Sequence, residues 1–156
     1  MMGRIDARLV ELGIELPAPP PPRAARILMA KAAGGFLFVS GQLPSLNGEL
    51  RYVGKAGREF NLHDAQAAAR LSALNVLSHA RAALDGDLDR IAEVVLLRGY
   101  VNVAPDFFEI SQSVNGASDL MAEIFGAVGA HTRTAIGVAM MPYNALIEVE
   151  AQFLLT

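Results

Sequence analysis

Two charged residues in the last quarter of the chain, Arg133 and Glu148, have side chains that could bind and transform a small organic acid. A guanidinium group can hold a carboxylate with two parallel hydrogen bonds, which fix its orientation as well as its charge. A glutamate can act as a general base toward a water molecule that attacks an imine carbon. From the residues alone, two simpler interpretations stay open: Arg133 as an exposed charge before a strand, and Glu148 as a solvated side chain on a sheet face.

The composition argues against several other chemistries. The chain has 156 residues and no Cys, which excludes thiolate nucleophiles, disulfides and iron–sulfur clusters. Its three histidines (His63, His79 and His131) lack the spacing of metal ligands, so we expect no metal and no other cofactor. The net charge is −3 and the sequence shows no basic stripe, which argues against a nucleic-acid partner.

Hydrophobic residues make up 53% of the chain, a high share that has two interpretations. One is a surface buried against another subunit, and the other is a well-filled core. No apolar run is long enough to span a bilayer, and the first residues lack the apolar stretch of a signal peptide. We therefore expect a cytoplasmic protein with no membrane partner.

Residues 1–24 are predicted to form an extension, and residues 25–156 a single domain. In the extension, apolar residues recur at helical spacing over residues 4–16 and predict a short amphipathic helix. The prolines from Pro17 to Pro22 end that helix in an extended polyproline II segment. We interpret this segment as a stiff connector, with a PxxP recognition motif as the alternative.

In the domain, hydrophobic patterning predicts five strands. They cover residues 25–31, 35–40, 93–103, 134–141 and 145–155. Gly99, in the middle of the third strand, suggests a bulge or a bend. The Gly-rich stretch from Ser45 to Arg58 has several turn signals and no periodicity, so we predict a loop there.

Two helical regions complete the pattern. The first covers residues 62–84 and begins at Asn61, with Asp64 three residues later as in a capping box. The second opens at Pro105–Asp106, and we expect the Asn115–Gly116 pair to break it into two short helices.

The resulting order, ββαβαββ, lacks the strict alternation of a parallel doubly wound sheet. It predicts an α+β fold with two helices on one face of a sheet. The other face would carry Glu148, Glu150 and Gln152 together with Leu146 and Leu154. Such a mixture of polar and apolar residues is typical of a subunit interface that contains binding sites.

The spacing of Arg133 and Glu148 adds a constraint. If the last two strands formed a simple hairpin, the two residues would share a face but lie roughly 20 Å apart. One site could not use both of them in that hairpin. Either these strands pair with other partners, or the two residues meet across a subunit boundary.

Four segments in chain order resemble the RidA/YjgF family of enamine/imine deaminases, which also includes proteins of the endoribonuclease L-PSP type. They are Phe38-Val39-Ser40-Gly41-Gln42-Leu43-Pro44, Val101-Asn102-Val103 before Asp106-Phe107, His131-Thr132-Arg133-Thr134-Ala135, and Met141-Pro142 followed by Ile147-Glu148-Val149-Glu150-Ala151. The resemblance covers roughly residues 25 to 155.

This resemblance implies a chorismate-mutase-like fold and a homotrimer with three ligand clefts between subunits. It implies that Arg133 grips a substrate carboxylate and that Glu148 positions the attacking water. Ser40 and Gly41 would line the cleft. Ala135 stands where many members have Cys, and it would act through its backbone carbonyl.

The chain also departs from the family pattern. The segment from Val114 to Asp119 is similar to that of a longer branch of the family, and we take Asn115 in it as a further substrate-binding candidate. The tyrosine that many members place before the first strand has no clear counterpart between Pro22 and Ile27.

Two functions are therefore expected from the resemblance. The first is hydrolysis of small amino-acid-derived enamines or imines to 2-keto acids and ammonia. The second is a trimeric module that binds a small carboxylate metabolite without transforming it, which the missing tyrosine and the altered segment favour. A ribonuclease activity, ascribed to relatives, is disfavoured by the acidic charge.

Overall fold

A computed structural model describes residues 1–23 and 26–156 of the chain. The described residues form three α-helices and seven strands. In chain order they are α1 (Arg4–Glu11), β1 (Ala30–Ala33), β2 (Phe36–Gln42), β3 (Ser45–Leu46), β4 (Glu49–Leu50), α2 (Leu62–Ala83), β5 (Ile91–Asn102), α3 (Ile110–Phe125), β6 (Thr132–Val138) and β7 (Ile147–Leu155). The boundary expected between residues 24 and 25 lies outside the described residues. The first strand, predicted at residues 25–31, begins only at Ala30, so the prediction was wrong for residues 26–29.

Five of the strands form one sheet in the order β1-β2-β7-β5-β6. Strands β5 and β6 run parallel, and the other neighbouring pairs are antiparallel. Helices α2 and α3 pack on each other and on one face of this sheet, leaving the opposite face open. The predicted α+β fold, its ββαβαββ order and the placement of both helices on one face are confirmed.

The stretch from Ser45 to Arg58 is not entirely a loop, because β3 and β4 form a two-residue ladder at its start. Asn47 and Gly48 connect them, both with positive φ angles (53° and 80°). An Asn-Gly pair with that geometry is the strongest short-range hairpin signal, because its twist matches the twist of the flanking strands. The sequence carried this signal, and our prediction of a loop was wrong here.

Helix α2 begins where the sequence predicts it. The Asn61 side chain accepts a hydrogen bond from the Asp64 N–H at 2.9 Å, and the Asp64 carboxylate accepts one from the Asn61 N–H at 3.0 Å. The capping box is therefore complete. The buried side of the helix is rich in alanines of zero exposure, which let it approach the sheet closely: Ala65, Ala68, Ala69, Ala73 and Ala80.

Two glycines play a different role from the one we predicted. Helix α3 continues through Asn115–Gly116 without a break. Gly116 lies against the backbone of α2, where an added methyl group would overlap the Gln66 carbonyl. Gly99 lies in regular pairing with both neighbouring strands, and the irregular registers of β5 lie nearer its start. A Cβ at Gly99 would lie 2.5 Å from a Val114 methyl group of α3. Both glycines allow close packing of α3, and neither marks a break, a bulge or a bend.

The last two strands do not form a hairpin. Strand β5 lies between β6 and β7. Within the chain, these two strands therefore pair with other partners, which is one of the two alternatives considered for Arg133 and Glu148. Leu146 is also placed differently from our expectation. It precedes β7 and is fully buried in the core, whereas Glu148, Glu150, Gln152 and Leu154 alternate onto the open face.

The N-terminal helix is attached to the same core. Ile5 and Leu9 of α1 are buried in it, and the Asp89 carboxylate accepts hydrogen bonds from the N–H groups of Arg4 and Ile5 at 2.6 and 2.8 Å. The Ser78 hydroxyl of α2 donates to the Pro17 carbonyl at 2.8 Å, which fixes the start of the proline segment. Within residues 1–23 and 26–156, no helix has both the length and the apolar character needed to cross a membrane.

We predict that Gly116→Ala destabilises the protein, although Gly→Ala inside a helix normally stabilises it by about 1 kcal/mol. The added methyl group forces α3 away from the backbone of α2, and we expect a loss of about 1–3 kcal/mol. Urea denaturation measures the change in the free energy of unfolding. Asp119→Ala, at an exposed position of the same helix, is the control and should be neutral or slightly stabilising. A stabilising effect of Gly116→Ala would contradict this packing.

Candidate functional site

Glu148 lies on the open face of the sheet, against an irregularity in β2. Val39 pairs with Ala151 and Gln42 pairs with Val149, so Ser40 and Gly41 together face one residue of β7. This β-bulge directs both Val39 and Gln42 toward the helices and places Gly41 beside the Glu148 carboxylate. A methyl group at Gly41 would overlap that carboxylate. The acid can therefore occupy this position only because residue 41 is glycine.

The surroundings of Glu148 favour its neutral form. Partial burial raises the pKa of Glu148 above its ordinary value, and the negative charge of Glu150 raises it further. Glu150 is itself bound by two neighbours on the open face, since Arg98 donates to it at 3.1 Å and the Tyr100 hydroxyl at 2.9 Å. The proton affinity of Glu148 is therefore raised, as suits a group that takes a proton from water.

A cleft of about 300 Å³ opens in front of Glu148. One wall comes from residues 20–23, 27 and 29, the other from the turn before β7, and the floor from the end of β2. Its lining residues are Pro20, Pro21, Arg23, Ile27, Met29, Gly41, Gln42, Leu43, Ser45, Pro142, Tyr143 and Glu148. The lining is mostly apolar with a few polar groups, which is the usual character of a small-molecule site.

The floor and the bulge are held by buried hydrogen bonds. The Asn75 side chain of α2 is fully buried and donates to the carbonyls of Leu43 and Ser45 at 3.1 and 2.8 Å. Ser40 does not line the cleft: its hydroxyl donates to the Leu28 carbonyl at 2.7 Å and joins the bulge to the segment before β1.

Two cleft residues, Tyr143 and Arg23, were missed by our sequence analysis. Tyr143 and Asn144 form a turn with positive φ angles (57° and 55°), an unusual conformation for residues other than glycine. The buried Asn102 supports this turn, because its side-chain amide donates to the Asn144 side chain at 2.9 Å and to the Gly54 carbonyl at 3.1 Å. The Arg23 guanidinium lies over the Tyr143 ring, 4.8 Å from its centroid.

Arg133 lies elsewhere, on the helix-covered face of the edge strand β6, where α3 binds it. One terminal nitrogen, Nη1, donates to Asn115 Oδ1 at 2.8 Å and to Ser118 Oγ at 3.1 Å. The other, Nη2, donates to the carbonyl and the hydroxyl of Ser111 at 3.1 and 2.9 Å. These bonds engage the four N–H groups of the terminal nitrogens and leave the one on Nε, out of the five that an arginine carries.

His131 extends this cluster. Its Nδ1 lies 2.6 Å from the Gly129 carbonyl, which can only accept, so Nδ1 carries the hydrogen. In the neutral ring Nε2 is then an acceptor, and the Ser118 hydroxyl donates to it at 2.8 Å. The Ser118 oxygen thereby directs a lone pair toward Arg133, and the three residues form one chain of hydrogen bonds.

The residues predicted to form one site therefore lie in two groups within the chain. Gly41 and Glu148 are together in the cleft, whereas Arg133, Asn115 and Ala135 lie on the helix-covered side of the sheet. Arg133 pairs with Leu97 and Glu148 with Tyr100, so they are about 10 Å apart along the strands and about 10 Å apart across them. Their side chains point to opposite faces. Among the described residues, no cluster of three His, Asp or Glu side chains is arranged to hold a metal ion.

Comparison with known proteins adds to this geometry. The model of the YjgF/chorismate mutase-like endoribonuclease family matches residues 6–153. Protein TCP17 of Trypanosoma cruzi is 46% identical over 150 residues, which are 96% of this chain and 92% of that protein. The family match begins within α1 and also takes in the proline segment and most of the sheet.

Solved structures give a consistent picture. Atu1372 of Agrobacterium tumefaciens, a protein of unknown function, is 40% identical with a TM-score of 0.89, over 98% of this chain and 93% of that one. A Shewanella oneidensis protein labelled an endoribonuclease is 35% identical with a TM-score of 0.92, over 97% and 99%. Escherichia coli TdcF, solved with bound serine, is 20% identical with a TM-score of 0.64, over 88% and 94%, and shares the fold.

We predict that Arg133→Ala loosens the attachment of α3 to β6. The substitution leaves Asn115 Oδ1 and the Ser111 carbonyl without a donor at partly exposed positions, so we expect a loss of about 1 kcal/mol of unfolding free energy. Amide hydrogen exchange around Ser111–Ser118 should accelerate more than exchange in α2. Arg58→Ala, at an exposed loop position, is the matched control. Equal protection of α3 in both variants would show that Arg133 does not hold this helix.

Proposed function

Because the chain belongs to the YjgF/chorismate mutase-like family, we propose that it hydrolyses small enamines or imines derived from amino acids to 2-keto acids and ammonia. The observation that carries this proposal is the position of Glu148. Its carboxylate is half-buried beside the backbone of Gly41, at the wall of a cleft large enough for such a substrate. The raised pKa of Glu148 makes its carboxylate a stronger base toward water.

The reaction requires one proton acceptor and no redox partner. A water oxygen forms a bond to the imine carbon while Glu148 takes a proton from that water. As the C=N π bond opens, Glu148 returns this proton to the nitrogen and a carbinolamine forms. A second proton then passes from its hydroxyl to the nitrogen through the same carboxylate, the C–N bond breaks, ammonia leaves, and the carbon becomes the carbonyl of the keto acid. Imines hydrolyse readily, so positioning of water and substrate supplies much of the acceleration.

We assign the binding of the substrate carboxylate to Arg133 of a neighbouring subunit. Arg133 and Glu148 of one chain lie on opposite faces of the sheet, so a site that uses both needs two chains. Strand β6, which carries Arg133, is an edge strand paired on one side with β5. Asn115, Ser118 and Ser111 hold the terminal nitrogens of this guanidinium, so its Nε–H is the donor left for the substrate carboxylate. Ala135 would offer its backbone carbonyl to the same ligand.

We further propose that the assembly is a homotrimer with three such clefts. The open face of the sheet supports an interface because it combines exposed apolar side chains, Phe38 and Ile136, with the Arg98–Glu150–Tyr100 group. A closed ring of identical contacts would cover this face in every subunit.

A related fold binds a ligand of the proposed kind. The TdcF structure contains serine, an amino acid that carries the carboxylate expected of our substrate. Serine is an amino acid and not an imine, so its presence is also compatible with binding alone. The alternative function is therefore a trimer that binds a carboxylate metabolite without transforming it. The experiment below separates the two.

We predict that Glu148→Gln abolishes hydrolysis and leaves ligand binding measurable. The amide has the shape of the carboxyl group but cannot accept the proton of water. An amino-acid oxidase generates 2-iminobutyrate in the assay, and release of the keto acid is compared with the rate in buffer. Glu15→Gln, at an exposed position after α1, is the control and should keep full activity. If the folded wild-type protein gives no acceleration, or Glu148→Gln keeps it, the hydrolase proposal fails.

The same substitution should stabilise the protein at neutral pH. Burial raises the pKa of Glu148 above its value in the unfolded chain, so the stability associated with this group is full at low pH and is lost as pH rises through the raised pKa. Gln carries no charge at any pH. The difference in unfolding free energy between Glu148→Gln and wild type should therefore be positive at neutral pH and vanish in acid. No difference at neutral pH would contradict the burial of an ionised Glu148.

For the trimer, we predict that Ile136→Glu yields smaller species. Ile136 is 46% exposed on the open sheet face, and a charge there would be buried against a neighbour. Light scattering after size-exclusion chromatography reports the mass. Val10→Glu, at a 69% exposed position on α1, is the control and should leave the mass unchanged. A wild-type mass of one chain would overturn the proposed assembly.

A further inference from the structure

The cleft in front of Glu148 contains an arginine, Arg23, to which the proposed function assigns no role. Arg23 lines the cleft together with Gly41 and Glu148, and its guanidinium carbon lies 4.8 Å from the centroid of the Tyr143 ring. Stacking on an aromatic face leaves the edge of the guanidinium, which carries the N–H groups, free to meet a ligand in its plane. No hydrogen bond or ion pair joins these N–H groups to another described residue.

The two arginines differ in how their hydrogen bonds are used. The terminal nitrogens of Arg133 are engaged by Asn115, Ser118 and Ser111. Arg23 contacts the Tyr143 ring and has no such hydrogen-bond partner among the described residues, so its N–H groups are available to a ligand. A residue held in place with unused donors is preorganised for an anion, because little side-chain freedom is lost when the anion binds.

The turn that holds Tyr143 is itself fixed. Tyr143 and Asn144 adopt left-handed backbone conformations, which cost free energy unless the surrounding structure enforces them. The buried Asn102 supports them through its bond to Asn144, and Lys55 donates to Asn102 Oδ1 at 2.6 Å and to the Ala139 carbonyl at 2.5 Å. The backbone turn that carries the Tyr143 ring is therefore held by hydrogen bonds from Asn102, although the ring itself is exposed.

We infer that Arg23 binds a second carboxylate of the substrate, so that the preferred substrates are imines of dicarboxylic amino acids. This inference rests on the proposed function, in which Arg133 of a neighbouring subunit takes the carboxylate next to the imine carbon. The second carboxylate then lies at the far end of the cleft, with Glu148 between the two anchors. The intervening methylene groups pack on the apolar side chains of Ile27, Met29 and Leu43.

A carboxylate fits this place better than a phosphate group. Arg23 supplies one positive charge, and Glu148 in its basic form already adds a negative charge to the same cleft. A singly charged group balances Arg23, whereas a phosphate dianion would bring net repulsion into a partly desolvated site. The planar fork of a guanidinium also matches a planar carboxylate with two parallel bonds.

The test compares two imines in the same assay. One is 2-iminoglutarate, generated by an oxidase from L-glutamate, and the other is 2-iminobutyrate, generated from L-2-aminobutyrate. For the wild type we expect kcat/KM to be about tenfold higher, or more, for the dicarboxylic imine. The reason is that 2-iminobutyrate cannot form the charged hydrogen bonds with Arg23. Arg23→Ala should remove this preference, mainly by raising KM for 2-iminoglutarate. Arg23→Lys should restore it in part, and Arg58→Ala should keep it in full.

A wild-type enzyme without preference, or an Arg23→Ala variant that keeps the preference, would overturn the inference while the proposed hydrolase stands. Tyr143→Leu provides a second check, because it removes the ring that holds the guanidinium and should weaken the preference as well.

Binding separates this result from failure of the proposed function. Calorimetry with 2-oxoglutarate and 2-oxobutyrate measures the same discrimination without turnover. If neither imine is hydrolysed but 2-oxoglutarate binds more tightly in an Arg23-dependent way, the hydrolase proposal fails and the second carboxylate site stands. If the two keto acids bind equally in the wild type, Arg23 has no such role.

Discussion

The contact between the Glu148 carboxylate and the backbone of Gly41 is the constraint on which the cleft depends. It requires an extra residue in β2, so that the strand bulges, and it requires that this residue have no side chain. The bulge turns Gln42 into the core and leads the chain into the segment held by Asn75, which forms the cleft floor. The electrostatic character of Glu148 follows from the same arrangement, because partial burial and Glu150 together favour its neutral form. The bulge in β2 thus places Gly41 against Glu148 and contributes to the burial that raises the pKa of Glu148.

The fold was largely predictable because its elements carry local signals. The capping box at Asn61, the alternation along β7 and the order of strands and helices all depend on neighbouring residues, and all are found in the structure. Gly99 and Gly116 misled us because a glycine that permits contact between distant elements has the same sequence signature as one that breaks an element. Asn47–Gly48 was recognisable as a hairpin turn but was passed over within a polar stretch.

The site was less predictable, for a physical reason. Gly41 and Glu148 were named through the family resemblance, and their proximity depends on a register that no local pattern specifies. Arg23 and Tyr143 are separated by almost the whole domain in sequence and meet only through the folded turn before β7. A single non-glycine residue with a positive φ angle leaves little trace in sequence, so Tyr143 had no signal beyond its position after a proline. The aromatic residue of this cleft comes from the turn before β7, near the end of the chain.

The proline segment has a consequence for how such proteins diversify. It forms one wall of the cleft, yet it is attached to α2 by contacts such as the Ser78–Pro17 hydrogen bond and contributes no strand to the sheet. Residues in it can therefore change without disturbing the hydrophobic core or the bulge that supports Glu148. Mutational drift in this short stretch would alter which ligands are accepted while the acid and its surroundings persist. In the proposed enzyme, the part of the cleft that would select the substrate is therefore structurally separate from the part that would carry out the reaction.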